Sequence, residues 1–150
     1  MPYHNIFKKI IFAADFSESS QKAFTYALNI AAGNPGCVLV ILHVVPEPDA
    51  QFWRTYIYEV DNVDEKAKAD IDGKMREAYL SRVPAEIPHT VKMAVGSVNT
   101  AILETAETEQ ADLIILGRES SGVLQSRFLG NVTGKIARKA PCPVMIVPGE

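Results

Sequence analysis

The sequence predicts an α/β fold: an open, five-stranded parallel sheet in the order 3-2-1-4-5, with helices on both faces. Three observations carry that prediction. Apolar runs at Ile10–Phe12, Cys37–Val45, Leu113–Leu116 and Val144–Val147 have the composition of strands buried on both faces. Between them apolar residues recur at helical spacing, and strands alternating with helices imply a parallel sheet with right-handed crossovers. One strand, His89–Val95, alternates Val91, Met93 and Val95 with Thr90, Lys92 and Ala94. Alternation leaves one face wetter and suits a sheet edge, whereas strands one, two and four want the interior. The order 3-2-1-4-5 meets both demands.

In the first strand, Lys9–Ala14, three large apolar residues follow one another, and Asp15 stands at the carboxyl end. Ser17 is an N-cap candidate for a helix from Glu18 to Ala32. Ala23, Phe24, Ala27, Leu28 and Ala31 share one face of that helix, and Gly33 is its stop. A turn at Asn34–Gly36 leads into the second strand, which Pro46 and Pro48 close. Asp49–Thr55 reads as a loop. Val60, Val63, Ala67, Ile71, Met75 and Tyr79 then recur at intervals of three and four, predicting a helix over much of Tyr56–Arg82. Gly73 falls inside it and argues against continuous helix.

Pro84 and Pro88 bound a linker before the alternating strand. Gly96-Ser97 turns the chain into a helix whose inner face carries Ile102, Leu103 and Ala106 and which ends near Gln110. Gly117 ends the fourth strand. A loop rich in Ser, Arg and Gly follows, and from Gly130 a helical period is set by Val132, Ile136 and Ala137. Lys135, Arg138 and Lys139 fall in its later turns, where cations meet the negative end of the helix dipole. Pro141 and Pro143 stop it ahead of the last strand.

The chain of 150 residues is expected to form one domain over 1–150, long enough to bury about 70% of its unfolded surface. With 47% hydrophobic and 22% charged residues it has an ordinary globular composition. A net charge of −3 and the lack of a basic stripe argue against a nucleic-acid partner. The N-terminal MPYHNIFKKIIF has no long apolar core, and no run reaches membrane-spanning length, so no membrane association and a cytoplasmic location are expected. Cys37 and Cys142 lack Cys-x-x-Cys spacing and read as buried or half-buried thiols of a reducing compartment. Neither a metal-ligand spacing, nor a Walker A sequence, nor Gly-x-Gly-x-x-Gly, nor Gly-x-Ser-x-Gly occurs. A hydrolytic triad of Asp15, His43 and Ser120 is therefore unsupported.

The loop between the last two strands points elsewhere. Backbone amides at a glycine-bearing turn and at a helix start make a site for phosphate, and glycine lets a ligand approach closely. Gly117, Gly122 and Gly130 stand at a spacing that resembles the universal stress proteins, whose nucleotide loop runs Gly-x2-Gly-x9-Gly-Ser/Thr, often with a further glycine two residues after the second. Gly117 matches the first glycine, Gly122 the further one and Gly130 the third. Ser120 replaces the second glycine, and Asn131 replaces the Ser or Thr. The Asp15-Phe16-Ser17-Glu18 segment also resembles the family's Asp-Phe-Ser-Glu, and Leu42-His43-Val44 its Leu-His-Val, so the likeness covers essentially the whole chain. Ala13 stands where the family often has proline.

The resemblance implies the universal stress protein and adenine nucleotide alpha hydrolase-like fold, with ATP or another adenine nucleotide in the crevice between strands one and four. Its binding residues would be Ala13, Asp15, Val44, Gly117, Ser120, Gly122, Gly130, Asn131 and Val132. Val44 would meet the adenine through its backbone, and Asp15 would face the ribose or, indirectly, Mg²⁺. Blander roles stand beside these: Asp15 as a helix-capping acid, His43 as a hydrogen-bonded structural residue, the glycines as turn and cap residues. Arg118 and Arg127 are the nearest cations and equally suit solvent.

The expected function is a dimeric ATP-binding regulatory or stress-response module with little or no hydrolysis and an unidentified signalling protein as partner. The loop lacks a lysine at P-loop spacing and any evident group to orient water. Alternatives are a family member that holds no ATP and acts through protein contacts alone, and a nucleotide hydrolase or adenylyl transferase of related fold. Val144–Val147, apolar and uncharged at a sheet edge, invites pairing with a second copy, so a homodimer through that strand is expected.

Overall fold

The structure, a computed structural model, describes residues 6–46, 63–118 and 125–149, with side chains at 6–45, 69–118 and 132–149. Five strands, β1 (Lys9–Ala14), β2 (Val38–Pro46), β3 (His89–Gly96), β4 (Leu113–Gly117) and β5 (Val144–Val147), form one parallel sheet in the order β3-β2-β1-β4-β5. The helices are α1 (Glu18–Ala32), α2 (Val63–Ala78), α3 (Val98–Glu109) and α4 (Gln125–Lys139), with a 3-10 turn at Leu80–Arg82. The expected fold class and strand order are both realised.

Period-two alternation of side chains divides the interior into two apolar layers. Ile10, Phe12, Leu39, Ile41, Leu113 and Ile115 point toward α1 and α2. Ile11, Val40, Leu42, Ile114 and Leu116 point the other way, toward Ala101, Ile102 and Ala106 of α3 and Ile136 of α4. Each such side chain contributes about 1.5–3 kcal/mol on leaving water, so strands apolar on both faces demand helices on both. Phe12, Phe24 and Tyr79 make the aromatic centre of the first layer, with ring centroids 4.9–5.3 Å apart.

Several boundaries differ from the expectation. β2 begins at Val38 rather than Cys37, whose N–H closes the preceding turn onto Asn34 O at 2.9 Å. α2 runs through Gly73, because that residue is solvent-exposed and Met75 and Tyr79 anchor the following turn. The expected start of this helix, from Tyr56, lies outside the described residues. α4 begins at Gln125, five residues before the expected start at Gly130. Gln125, Arg127 and Leu129 are good helix formers, and the interior glycines, Gly130 and Gly134, cost only about 1 kcal/mol each.

The alternating strand β3 is at the edge, as expected, but its wetter face is the apolar one. Val91, Met93 and Val95 are exposed, whereas Lys92 and Ala94 are half-buried beneath α3. Lys92 tolerates that position because Glu109 pairs with it and, at 3.0 Å, with Lys9. At the amino end of the sheet the Asp112 carboxylate accepts hydrogen bonds from Lys8 N (2.8 Å) and Lys9 N (3.0 Å), tying β1 to β4. Cys37 is buried and Cys142 half-buried, and burial raises both thiols above their usual pKa. Among the described residues no helix is long and apolar enough to cross a membrane.

Candidate functional site

The sheet's connectivity reverses between β1 and β4, and the chain leaves both strands at one end. Ala13 pairs with Leu42 on one side and Leu116 on the other, and Ala14 is the last residue of β1 to pair with β2, at His43. Beyond that pair β2 continues through Val44 and Val45, still matched to Ala94 and Val95 of β3. Asp15 and Gly117 therefore stand at the carboxyl ends of β1 and β4, at the topological switch point where α/β sheets hold ligands.

The turn from β1 to α1 is built from local hydrogen bonds. Asp15 Oδ1 accepts Ser17 N at 2.9 Å and Ser17 Oγ at 2.5 Å. Ser17 Oγ in turn accepts Ser20 N at 3.1 Å, the N-cap that starts α1. Asp15 thus holds Ser17, the residue that caps α1, while standing at the carboxyl end of β1. Phe16, between them, has φ of +67°, left-handed backbone that costs a bulky residue on the order of 1–3 kcal/mol.

What offsets that strain comes from α1 and from the end of α2. Phe16 N donates to the Tyr79 hydroxyl at 2.9 Å, and the Phe16 ring lies 5.0 Å from His43 and 5.6 Å from Tyr79. Ser20 Oγ accepts Asp15 N at 3.2 Å, touches Ala13 O at 3.4 Å and lies 2.9 Å from the Tyr79 hydroxyl. One proton arrangement satisfies every contact: Tyr79 donates to Ser20, Ser20 donates to Ala13 O, and each oxygen accepts one turn amide. Burial raises the Tyr79 pKa, which keeps its hydroxyl protonated for this duty. His43 Nδ1 donates to Ala14 O at 2.9 Å, the structural role weighed for it from the sequence.

Gly117 is needed for packing. A Cβ there would fall 2.4 Å from Ser19 Oγ, 2.6 Å from Ser20 N and 2.7 Å from Ser19 C. Its missing side chain lets the first turn of α1 press against the end of β4, so the glycine shapes the crevice by admitting a helix. Val44 is buried in the layer beneath α3. Val132 is half-buried against the same layer.

Gly130 and Asn131 lie in the second turn of α4, so the helix-start amides expected at Gly130 belong instead to residues around Gln125. Ser120 and Gly122 lie outside the described residues, as does the Arg127 side chain. Among the described residues, no group of three or more His, Cys, Asp or Glu is arranged to hold a metal ion. Sequence reasoning passed over Phe16, Ser20 and Tyr79. In the sequence Tyr79 is one member of an apolar stripe, yet a buried tyrosine hydroxyl requires a partner, and that requirement is the available signal.

Comparison with known proteins follows the same outline. The family model described as "Universal stress protein family" matches residues 6–148. A universal stress protein of Thermus aquaticus is 31% identical over 145 residues, covering 95% of this chain and 99% of its own. The solved structure of a Methanocaldococcus jannaschii universal stress protein superposes with a TM-score of 0.72 at 27% identity, covering 95% of this chain and 96% of that one. A universal stress protein solved in complex with cAMP is similar in fold, with a TM-score of 0.61 at 23% identity over 96% of this chain and 98% of its own. An Arabidopsis thaliana member solved with AMP bound has a TM-score of 0.54 at 17% identity, over 94% of this chain and 91% of its own.

Proposed function

This chain belongs to the universal stress protein family, and on that premise we propose that it binds an adenine nucleotide in the crevice between β1 and β4 and acts as a homodimeric regulatory or stress-response module. The observation that carries the reading is the switch point between β1 and β4, with Asp15 and the tightly packed Gly117 at the strand ends and Val44 buried on the neighbouring strand. Two relatives of the same fold, solved with cAMP and with AMP, support adenine as the base. In this reading Ala13, Asp15 and Val44 border the nucleoside, while Gly117, Ser120, Gly122, Gly130, Asn131 and Val132 belong to the loop and helix that receive phosphate. ATP is the favoured form. Asp15 would meet Mg²⁺ indirectly, since its Oδ1 already accepts two hydrogen bonds from Ser17. The ion would screen phosphate charge, consistent with Mg²⁺ keeping most of its own water.

Little or no hydrolysis is part of the proposal, because a metal near phosphate does not by itself orient attacking water. Turnover well below about one per second is expected, under the ordinary range of enzymes. A second reading, protein contacts without nucleotide, is favoured by two findings: Gly117 has a packing duty and Gly130 lies inside a helix. Chromatography of small molecules released from freshly purified, denatured protein separates the two. An adenine nucleotide at near-stoichiometric yield supports the first reading. None released, with no calorimetric heat from ATP, AMP or cAMP at millimolar concentration, leaves the second.

A further inference from the structure

Tyr79 lies at the junction of α2 and the 3-10 turn and is fully buried. Its ring packs on Phe12 and Phe24, but its hydroxyl leaves that apolar layer to reach a turn 63 residues earlier in the chain. There it accepts the Phe16 amide and meets Ser20 Oγ, and Ser20 Oγ accepts the Asp15 amide. Two consecutive amides of a strained turn thus depend on two hydroxyls that touch each other. Outside this cluster α1 and the end of α2 part. A groove of about 400 Å³, lined by Phe16, Gln21, Lys74, Glu77 and Ala78, runs between them. Arg82 also joins the two, donating to Gln21 O and Thr25 Oγ1 and lying over the Phe24 ring of α1.

We propose that Tyr79 is a positioning residue of the crevice, its hydroxyl tying α2 to the Asp15–Ser17 turn so that seating of α2 and adenine-nucleotide occupancy are linked. The inference rests on the nucleotide reading above. With α2 seated, Tyr79 holds Phe16 in its left-handed conformation, and Asp15 and Ser17 keep the geometry that borders the crevice. With α2 displaced, Phe16 N loses its acceptor and Ser20 Oγ one of its three contacts, and the turn relaxes toward ordinary backbone. A ligand that prefers the held turn must then also favour seated α2, because linkage is reciprocal.

The test is calorimetry with Mg-ATP and with AMP on the full chain, paired with hydrogen exchange of residues 69–82. Tyr79→Phe keeps the ring cluster and deletes only the hydroxyl. Nucleotide binding is expected to weaken at least about fivefold, the low end of measured couplings. Saturating nucleotide should slow exchange in α2 of the native chain but not of Tyr79→Phe. Phe24→Leu disturbs the same cluster without touching the turn and should stay within about twofold of native affinity. Should Tyr79→Phe fail to fold, Ser20→Ala cuts the same relay from α1 and is expected to show the same two losses. Unchanged affinity in Tyr79→Phe, or equal weakening in Phe24→Leu, overturns the inference while the nucleotide reading stands. A native chain that binds neither nucleotide at millimolar concentration overturns both.

Discussion

At the scale of single residues, Gly117 shows how one position joins fold to site. Its Cβ space is taken by backbone atoms of Ser19 and Ser20, which cannot rotate away as a flexible side-chain tip can. Gly117→Ala is expected to cost about 1–3 kcal/mol, the usual penalty of overpacking, read as a lower urea midpoint with unchanged slope. The position was legible in the sequence as a glycine at a meaningful spacing. The reason for it was not, because the helix that crowds it comes from residues almost a hundred positions away. Glu109 offers a second residue-scale test. Lys92, and then Lys9, hold its carboxyl below the usual carboxylate range. A depressed folded pKa gives stability that is full above the ordinary value of about 4.3 and is lost as pH falls through the lowered one. Native protein should therefore exceed Glu109→Gln in stability near neutrality, with the gap closing as urea titrations move from about pH 5 to pH 3.

At the scale of elements, α1 was legible to the residue, because Ser17 caps it and its stripe faces a single layer. The other helices show what periodicity misses. Gly73 argued against a continuous α2, yet it is exposed, and a Cβ there would meet nothing within 4 Å. Gly73→Ala should thus stabilise the protein by about 0.5–1 kcal/mol, seen as a raised urea midpoint. The start of α4 differs for a related reason: a glycine-bearing spacing that resembles a ligand loop puts the loop's end at Gly130, while the residues before Gly130 favour helix. β3 was placed at the edge correctly, but which of its faces is wet depends on Glu109 holding Lys92 beneath α3, an ion pair with α3 that strand alternation does not reveal.

At the scale of the whole molecule, strand composition carried the sheet order, since fully apolar strands had to be central and the alternating one peripheral. The exception is β5, apolar yet at an edge, with Ile146 36% exposed. Pairing of two copies through this strand is the proposed resolution. Light scattering should give twice the 16.4 kDa chain mass, and Ile146→Lys should give the single mass with α/β circular dichroism retained. The central claim remains the nucleotide crevice, and an amide-resolved NMR titration with Mg-ATP tests it most directly. Saturable shifts are expected at Ala14–Ser17, Val44, Val45, Gly117 and Arg118, with Cys37, Asp112 and Cys142 at the opposite end of the sheet unmoved. A titration that moves no amide at millimolar nucleotide, or that centres its shifts on that opposite end, would contradict it.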